Sequence, residues 1–454
     1  LKIFPMKSKI IKLVFILLVF TSGFTTTAQK SVSLEEAIVL ASQGNRSLKI
    51  QKLEELRAQQ AVKEAKSAWL PNISINGNLS RYFDRQIIFL PGSFAKTNKD
   101  VQEVRVGGLY QYNTVAAFNQ KLFSRNANQN IKATLVEAKI EQEITADLES
   151  RLIEDLTRTY YQVLLAQNQL ILLKKSLQRN EKALTDAKAL FLQGNGLKMD
   201  TLRSYIAVEN LKISVSHQVN SIEISKDQLK QLIGLDLKDD LELVDSLHLE
   251  ENCDELKVFD DEVTIENLNR HDLSIQKLIV ELEEKRLSAI RANKYPEISL
   301  IGQYQLQSQS DEAKFNSQTW HPTSFMGINV SIPIFSGGKT SSQVKQGLIK
   351  LEQEKIKMED LNALVRLEIA TIMNNWNNAK LQYEAQKSTV EAAEVNFAIN
   401  TQRYSNGIGS KLEVTDAELA LTTAQITYLH SIYNLKISRM ELQRALGRLN
   451  SENL

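Results

Sequence analysis

The sequence is short of the residues that most often interrupt or cross-link a chain. Among 454 residues there are 6 prolines, 17 glycines and one cysteine, Cys253. A single cysteine excludes an internal disulfide. So few prolines and glycines are typical of a chain dominated by helices, because both residues disfavour helix interiors. Net charge is also low, with a formal value of +1 at pH 7, which gives no reason to expect nucleic acid as a partner.

Long hydrophobic runs are scarce as well. The apolar run from Leu13 to Phe20 follows four lysines and precedes Thr26-Thr27-Ala28. That order is typical of a secretory signal peptide, so we assign residues 1–28 to one, with cleavage after Ala28. No cysteine lies near this site, and we expect no N-terminal lipid anchor. Because no apolar run of 18 or more residues follows, a mature chain that enters a membrane must do so as β-strands.

The chain has instead two very long stretches without interruption. Residues 126–193 contain neither glycine nor proline and end at Gly194-Asn195-Gly196. Residues 348–406 repeat the pattern and end at Gly407-Ile408-Gly409. As one helix, the first stretch would be roughly 100 Å long, whereas helices of globular proteins average ~10–14 residues. We therefore predict two long helices, each turning at a Gly-x-Gly into a shorter return helix.

Each long helix is preceded by a helix and by segments that alternate apolar and polar residues. Ser33 and Glu36 form a capping-box pattern that predicts one helix ending before Pro71. Beyond it, Ile73 and Ile75 fall on the opposite face from the intervening polar residues, as in a strand with one apolar and one polar face. Residues 84–106 are polar and irregular, and we predict a loop there.

The second half of the chain repeats the first. Gly407 follows Gly194, and Gly447 follows Gly234, at the same offset of 213 residues, as expected for a duplicated hairpin. The predicted parts are a signal peptide at 1–28; a first repeat at 29–235 with strands about 72–83 and 107–119 and a helical hairpin at 126–233; an acidic connector at 236–262; a second repeat at 263–448 with strands about 297–307 and 324–335 and a hairpin at 340–447; and a tail at 449–454.

Four such strands cannot close a barrel in lipid, because an open edge leaves backbone groups unpaired there. Closed membrane barrels begin at about eight strands, and three chains would supply twelve. The polar strand faces suit a water-filled lumen, and amphipathic helices from three chains would pack side by side. The expected fold is therefore mainly α with a membrane β-barrel contribution: a duplicated helix–strand–strand–helix repeat that forms, as a homotrimer, a 12-stranded barrel and a long α-helical periplasmic barrel.

Several motifs occur in one order along both halves. They are Leu70-Pro71-Asn72-Ile73, its copy Tyr295-Pro296-Glu297-Ile298, residues 332–338, and above all residues 404–421. With these motifs the chain resembles the TolC-like outer-membrane efflux proteins over about residues 33–448. The resemblance implies an exit duct in the outer membrane of a Gram-negative bacterium, with a long periplasmic extension. It also implies a periplasmic adaptor and an inner-membrane transporter as partners, the latter of the RND type in preference to the ABC type.

The resemblance places a gate at the end of the second helical hairpin, where Glu413 and Asp416 match the family's acidic positions. Because they are three residues apart, they share a helix face. Three copies would place six carboxylates around one narrow opening, which favours cations and raises some carboxyl pKa values by crowding. A simple solvated helix face remains the alternative. The equivalent first-hairpin residues, Asp200 and Arg203, can pair with each other and would make a poorer anionic ring.

Tyr404 matches a tyrosine that links neighbouring hairpins in the family, whereas Gly409 stands where the family has an arginine, so the sequence departs from the family at that link. Tyr404 is equally a candidate for an ordinary packed aromatic side chain. The turn glycines Gly194, Gly196, Gly407 and Gly409 are candidates for adaptor docking, since they permit close backbone approach, and glycines are needed in any case to end helices.

Nothing in the sequence predicts an enzyme, a cofactor or a metal site. There is no nucleophile elbow, and the five histidines lack the spacing of metal ligands. Three other functions stay open: a type I protein-secretion exit duct, a non-conducting coiled-coil structural protein of the envelope, and a barrel enzyme of the outer membrane. The strand pairs argue against the pure coiled coil, which has no use for them.

Overall fold

The computed structural model describes residues 30–91, 93, 100–247, 268–313 and 319–449. The predicted signal peptide, the second part of the acidic connector with Cys253, and residues 450–454 lie outside the described residues. Two compact units are present. The first comprises the chain up to Lys49, Leu148–Asn269 and the chain from Val365, and the second comprises Ile50–Asp147 and Arg270–Leu364.

Seven helices occur within the described ranges. They are α1 (Leu34–Gly44), α2 (Arg46–Ser67), α3 (Arg125–Leu192), α4 (Lys198–Ile233), α5 (His271–Ala292), α6 (Lys339–Ser405) and α7 (Lys411–Ala445). The two long helices predicted from the sequence are present, with 68 residues in α3 and 67 in α6. Among the helices of the described residues, none has an apolar stretch long enough to cross a membrane.

Eight strands accompany these helices in the described residues. They are β1 (Lys30–Val32), β2 (Asn72–Arg81), β3 (Gln86–Pro91), β4 (Val101–Val106), β5 (Tyr110–Ser124), β6 (Leu241–Leu243), β7 (Glu297–Ser310) and β8 (His321–Ser331). The four strands predicted from the alternating pattern form one antiparallel sheet in the order β2-β5-β7-β8. The repeat boundaries near residues 235, 263 and 448 stay predictions.

The register of this sheet gives it one apolar and one polar face. Residues paired across neighbouring strands share a face, so one row joins Ile75, Ala116, Tyr304 and Ser324, and another joins Ile73, Phe118, Gly302 and Met326. The opposite face carries mainly amides and hydroxyls, and its one lysine and one carboxylate, Lys121 and Glu297, form an ion pair at 3.4 Å where β7 begins. Its members are Asn72, Ser74, Asn76, Asn78, Ser80, Gln111, Asn113, Val115, Ala117, Asn119, Lys121, Ser124, Glu297, Ser299, Ile301, Gln303, Gln305, Gln307, Gln309, His321, Thr323, Phe325, Gly327, Asn329 and Ser331.

The prediction of a loop at residues 84–106 is wrong. Most of this segment forms the hairpin of β3 and β4, in which Gln86 pairs with Val106 and Pro91 with Val101. The β-branched residues of both strands suit this conformation, but the polar residues between them masked the pattern. A further pair that the sequence did not predict is parallel: β1 lies beside β6, so the start of the described chain is joined to the connector.

The prediction of one helix from Ser33 to Pro71 is also wrong in part. The capping box is present, since Ser33 Oγ accepts from the Glu36 amide and the Glu36 carboxylate accepts from the Ser33 amide. The helix nevertheless ends at Asn45, whose backbone is extended. The side chain of Asn45 donates to the Leu232 carbonyl at 3.0 Å and accepts from the Leu48 amide at 3.0 Å. A tertiary contact with α4 therefore divides the predicted helix into α1 and α2.

The core of the first unit lies beside this division. Tyr160 and Leu156 of α3 are fully buried among residues of α1, α4 and the β1–β6 pair. The Tyr160 hydroxyl lies 2.7 Å from Asp245 Oδ2 and 3.1 Å from the Val32 carbonyl oxygen. Burial, together with the Asp245 carboxylate, raises the pKa of Tyr160, so the hydroxyl stays protonated and keeps the connector on the core.

Gly44 is required where α1 meets the end of α4. A Cβ at Gly44 would lie 2.0 Å from the Ile233 carbonyl oxygen, and backbone atoms on both sides leave nothing flexible to move. We expect Gly44→Ala to lower the free energy of unfolding by about 1–3 kcal/mol, as overpacking does. The thermal midpoint in detergent, followed by circular dichroism, measures this.

Gly77→Ala is the matched control for Gly44→Ala, because a Cβ at Gly77 would meet no atom within 4 Å. Its thermal midpoint should stay at the wild-type value. Equal midpoints for the two variants would show that the backbone contact between Gly44 and Ile233 is not tight in solution.

Candidate functional site

The two hairpin turns that the sequence predicts as functional have the same backbone structure. Gly194 and Gly407 have φ of 77° and 75°, a left-handed conformation that favours glycine. In each turn the amide after the glycine donates to the carbonyl five residues earlier, which closes the end of a helix. These bonds run from Asn195 to Leu190 at 2.9 Å and from Ile408 to Arg403 at 3.0 Å. The duplication at offset 213 thus extends to the hydrogen bond that closes each turn.

The second glycine of each turn is needed for close packing inside its own hairpin. A Cβ at Gly196 would lie 2.9 Å from the Phe191 backbone nitrogen, and a Cβ at Gly409 would lie 3.2 Å from that of Tyr404 and 3.3 Å from Glu413 Oε2. The backbone geometry of the hairpins therefore explains the presence of all four turn glycines, independently of any docking partner.

Glu413 lies in the first turn of α7 and is not a bare carboxylate. Ser410 caps this helix by accepting from the Glu413 amide at 3.3 Å. The Glu413 carboxylate lies 3.5 Å from Arg403 Nη1 across the turn, with both side chains about half exposed (46% and 49%). Sequence reasoning missed Arg403, although a basic residue in the last turn of a helix is a recognisable signal.

Asp416 lies one turn further along α7 and is exposed. Within the described residues it has no ion-pair partner, so its charge is left to solvent. Glu413 and Asp416 are thus brought onto one stretch of helix, as predicted, but with different surroundings. A helix N-terminus favours both carboxylates, because the macrodipole is positive there.

Tyr404 is half-buried beside a lysine that sequence reasoning missed. Lys411 Nζ lies 5.4 Å from the centre of the Tyr404 ring. Burial lowers the pKa of Lys411, while Asp186 and Asp200 act in the opposite direction. Burial raises the pKa of Tyr404, and the same two carboxylates add to the effect. The turn of the second hairpin is therefore held in a mixed cluster with two acids of the first hairpin, which we call the Lys411 cluster (Tyr404, Lys411, Asp186 and Asp200).

Asp200 and Arg203, which could pair with each other by their spacing, form no ion pair in the described structure. Asp200 belongs to the Lys411 cluster instead, and Arg203 is exposed. As for metals, no group of three or more suitable side chains is found in the part of the chain that the structure describes.

Comparison with known proteins identifies the family. A family model described as "Outer membrane efflux protein" matches residues 37–235 and 266–448. The chain belongs to this family of outer-membrane efflux proteins. The prediction of a TolC-like protein is confirmed, and family membership places the chain in the outer membrane and among channel proteins rather than enzymes.

The relatives of this efflux protein have low sequence identity to it, but their alignments cover most of the chain. Outer membrane protein TolC of Vibrio cholerae is 22% identical over 347 residues, 74% of this chain and 77% of that protein. Alkaline protease secretion protein AprF of Pseudomonas aeruginosa is 21% identical over 350 residues, 76% and 71% of the two chains. The crystal structure of the CmeC outer membrane channel of Campylobacter jejuni has a TM-score of 0.74 at 17% identity and covers 92% of this chain and 87% of its own. This likeness confirms the predicted fold class.

The left-handed glycine of the second hairpin gives a prediction for the efflux protein. Gly407→Ala should fray the end of α6, because a left-handed conformation costs an L-residue about 1–2 kcal/mol. Amides near residue 408 should then exchange hydrogen roughly 5–30 times faster, which hydrogen-exchange mass spectrometry measures. Gly407→Asn is the control, since asparagine adopts this conformation more readily. Indistinguishable exchange in the two variants would remove the conformational explanation.

Proposed function

We propose that this chain, as a homotrimer, is the outer-membrane exit duct of a tripartite efflux or secretion system. The observation that carries the proposal is the sheet of β2, β5, β7 and β8, which has an exposed apolar face, an amide-rich face and two edges, β2 and β8, that no other described strand pairs with. An unpaired edge is not tolerated in lipid. Pairing β8 of one copy with β2 of the next would satisfy both edges, and three copies would close twelve strands.

Two partners follow for such a duct: a periplasmic adaptor and an inner-membrane transporter, the latter of the RND type in preference to the ABC type. The hairpin turns are the proposed docking surface for the adaptor. Beyond the four glycines, each turn carries an exposed apolar side chain that its own hairpin leaves uncovered, Leu192 at 85% and Ile408 at 74% exposure. Apolar side chains of this kind suit a protein partner better than open solvent.

A type I protein-secretion duct is the second candidate. It is supported by the likeness to AprF, whose name assigns it to alkaline protease secretion. A non-conducting structural protein of the envelope is less well supported, because the two-faced sheet would have no purpose in it. The outer-membrane enzyme also lacks support, since the sequence contains no nucleophile elbow and its histidines lack the spacing of metal ligands.

Glu413, Asp416 and Tyr404 are proposed to line the constriction of the duct. Arg403 compensates one of the two carboxylates across the turn, so each copy presents about one uncompensated negative charge there. Three copies around a narrow opening would favour cations. Tyr404 belongs to the Lys411 cluster and adds no charge to the opening, because burial raises the pKa of its hydroxyl.

The proposed function predicts a small, cation-selective conductance for the purified protein in a planar bilayer. In the Glu413→Ala/Asp416→Ala variant the conductance should grow and lose selectivity, because the carboxylates both narrow the opening and attract cations. Glu209→Ala is the control, since Glu209 pairs with Lys212 on the surface of α4 and should leave both quantities unchanged. A conductance untouched by the double variant would remove the constriction assignment. If neither the wild type nor any variant conducts after insertion, the proposal of an exit duct is wrong.

Arg403 supplies an opposite prediction. Arg403→Ala should raise the cation-to-anion permeability ratio, because it uncovers the Glu413 carboxylate. An exposed ion pair of this kind is worth up to about 1 kcal/mol, so the ratio should rise by no more than about fivefold. The reversal potential across a salt gradient measures it. Arg203→Ala, which removes an exposed arginine from the first hairpin, is the matched control. A fall in the ratio for Arg403→Ala would show that Arg403 does not neutralise Glu413.

A further inference from the structure

A charge pair with a buried carboxylate and a partly buried arginine joins the two hairpins on α3 and α7. The Glu418 side chain is only 8% exposed, although it carries a charged carboxylate. Arg179 holds it from two nitrogens: Nε lies 2.9 Å from both carboxylate oxygens, and Nη2 lies 2.8 Å from Oε1. Ser176 Oγ donates to the same carboxylate at 2.9 Å, and Thr422 Oγ1 donates to Ser176 Oγ at 3.3 Å.

The pair also reaches a third helix. The Arg179 guanidinium lies 5.8 Å from the centre of the Phe397 ring on α6. Burying a carboxylate and part of its cation costs more than a good contact returns in many proteins, and an apolar pair of similar volume is often no less stable. Stability alone therefore does not explain a charged pair at this position, where the surrounding helices offer apolar packing.

Register offers an explanation. Helices α3 and α7 are antiparallel, and their contacts follow one another regularly, with Glu154 beside Arg444, Tyr161 beside Lys436, Gln169 beside His430 and Arg179 beside Glu418. A slip of α7 by one turn would move it about 5.4 Å and bring Thr422 or Thr415 opposite Arg179. The buried carboxylate would then lose its cation, whereas an apolar contact would tolerate the slip.

Glu418 lies two residues after Asp416 and five after Glu413 on the same rigid helix. We propose that the Arg179–Glu418 pair is a positioning contact that fixes the axial position of Glu413 and Asp416 at the end of the second hairpin. The proposal rests on the proposed function, because it gives those two carboxylates their role in selectivity. The Glu418 carboxylate itself does not line the opening, since it is buried and bonded to Arg179 and Ser176.

The test replaces the charged pair by an apolar one. In Arg179→Met/Glu418→Leu the helices keep their packing volume and lose the requirement for one register at this contact. The Glu154–Arg444 contact between the same helices remains. We expect a trimer yield and a thermal midpoint near the wild-type values, together with a cation-to-anion permeability ratio at least about threefold lower, even though Glu413 and Asp416 are still present. Amides of residues 411–422 should exchange hydrogen roughly tenfold faster, while those of residues 430–440 stay protected.

The single variant Glu418→Gln, which keeps the shape and removes the charge, should show the same losses to a smaller degree. Glu209→Gln on α4 is the matched surface control and should change nothing. A double variant with unchanged selectivity and unchanged exchange in residues 411–422 overturns the proposal, since apolar packing alone would then set the register. If Glu418→Gln does not assemble, the double variant decides.

The two readouts separate the proposal from the function on which it rests. Hydrogen exchange reports the position and order of α7 in detergent whether or not the protein conducts. If the double variant exchanges hydrogen faster but the wild type does not conduct, the positioning contact is supported and the proposal of an exit duct is wrong. Unchanged exchange with a conducting wild type removes the positioning contact and keeps the duct.

Discussion

Backbone groups at the edge of a sheet need partners when the sheet lies in lipid, and this requirement governs the rest of the chain. The sheet of β2, β5, β7 and β8 has an apolar face that water does not suit and edges that lipid does not tolerate. Among the described residues of one copy, β2 and β8 each have a partner on one side only, in the order β2-β5-β7-β8. In the proposed trimer the edges of neighbouring copies would pair, and helices α3 and α6, which follow β5 and β8 along the chain, would assemble in the same symmetry.

The duplication supplies two similar hairpins that differ in charge. Residues 170–215 contain eight lysines and arginines against four acids, whereas the matching residues 383–428 contain three against six. The contacts between hairpins follow this difference: Arg179 of the first holds Glu418 of the second. Lys411 reverses the signs locally, lying near Asp186 and Asp200 of the first hairpin. Two hairpins with the same backbone thus recognise each other by side-chain charge, which favours the pairing of unlike hairpins over like ones.

The features that could be predicted from the sequence are those with a local cause. An alternating pattern reports strand faces, and an uninterrupted stretch ended by glycine reports a long helix and its turn, so the four-stranded sheet, α3 and α6 followed from pattern alone. The break at Asn45 depends on Leu232, which is 187 residues away, and nothing near Asn45 signals it. Similarly, the spacing of Asp200 and Arg203 predicted a local pair, but Asp200 interacts electrostatically with Lys411 of the other hairpin.

The candidate site divides along the same line. Glu413 and Asp416 could be found by their spacing and resemblance, whereas Arg403 contacts Glu413 across the turn, and Lys411 and Arg179 contact Tyr404 and Glu418. This division matters for selectivity. The polar face of the described sheet carries mainly amides and hydroxyls, and its one lysine and one carboxylate, Lys121 and Glu297, are paired with each other. Such a face hydrates a cargo without sorting it by charge. Any preference for cations must then arise at the end of the second helical hairpin. There Glu413 and Asp416 act only if helix α7 is held in one register.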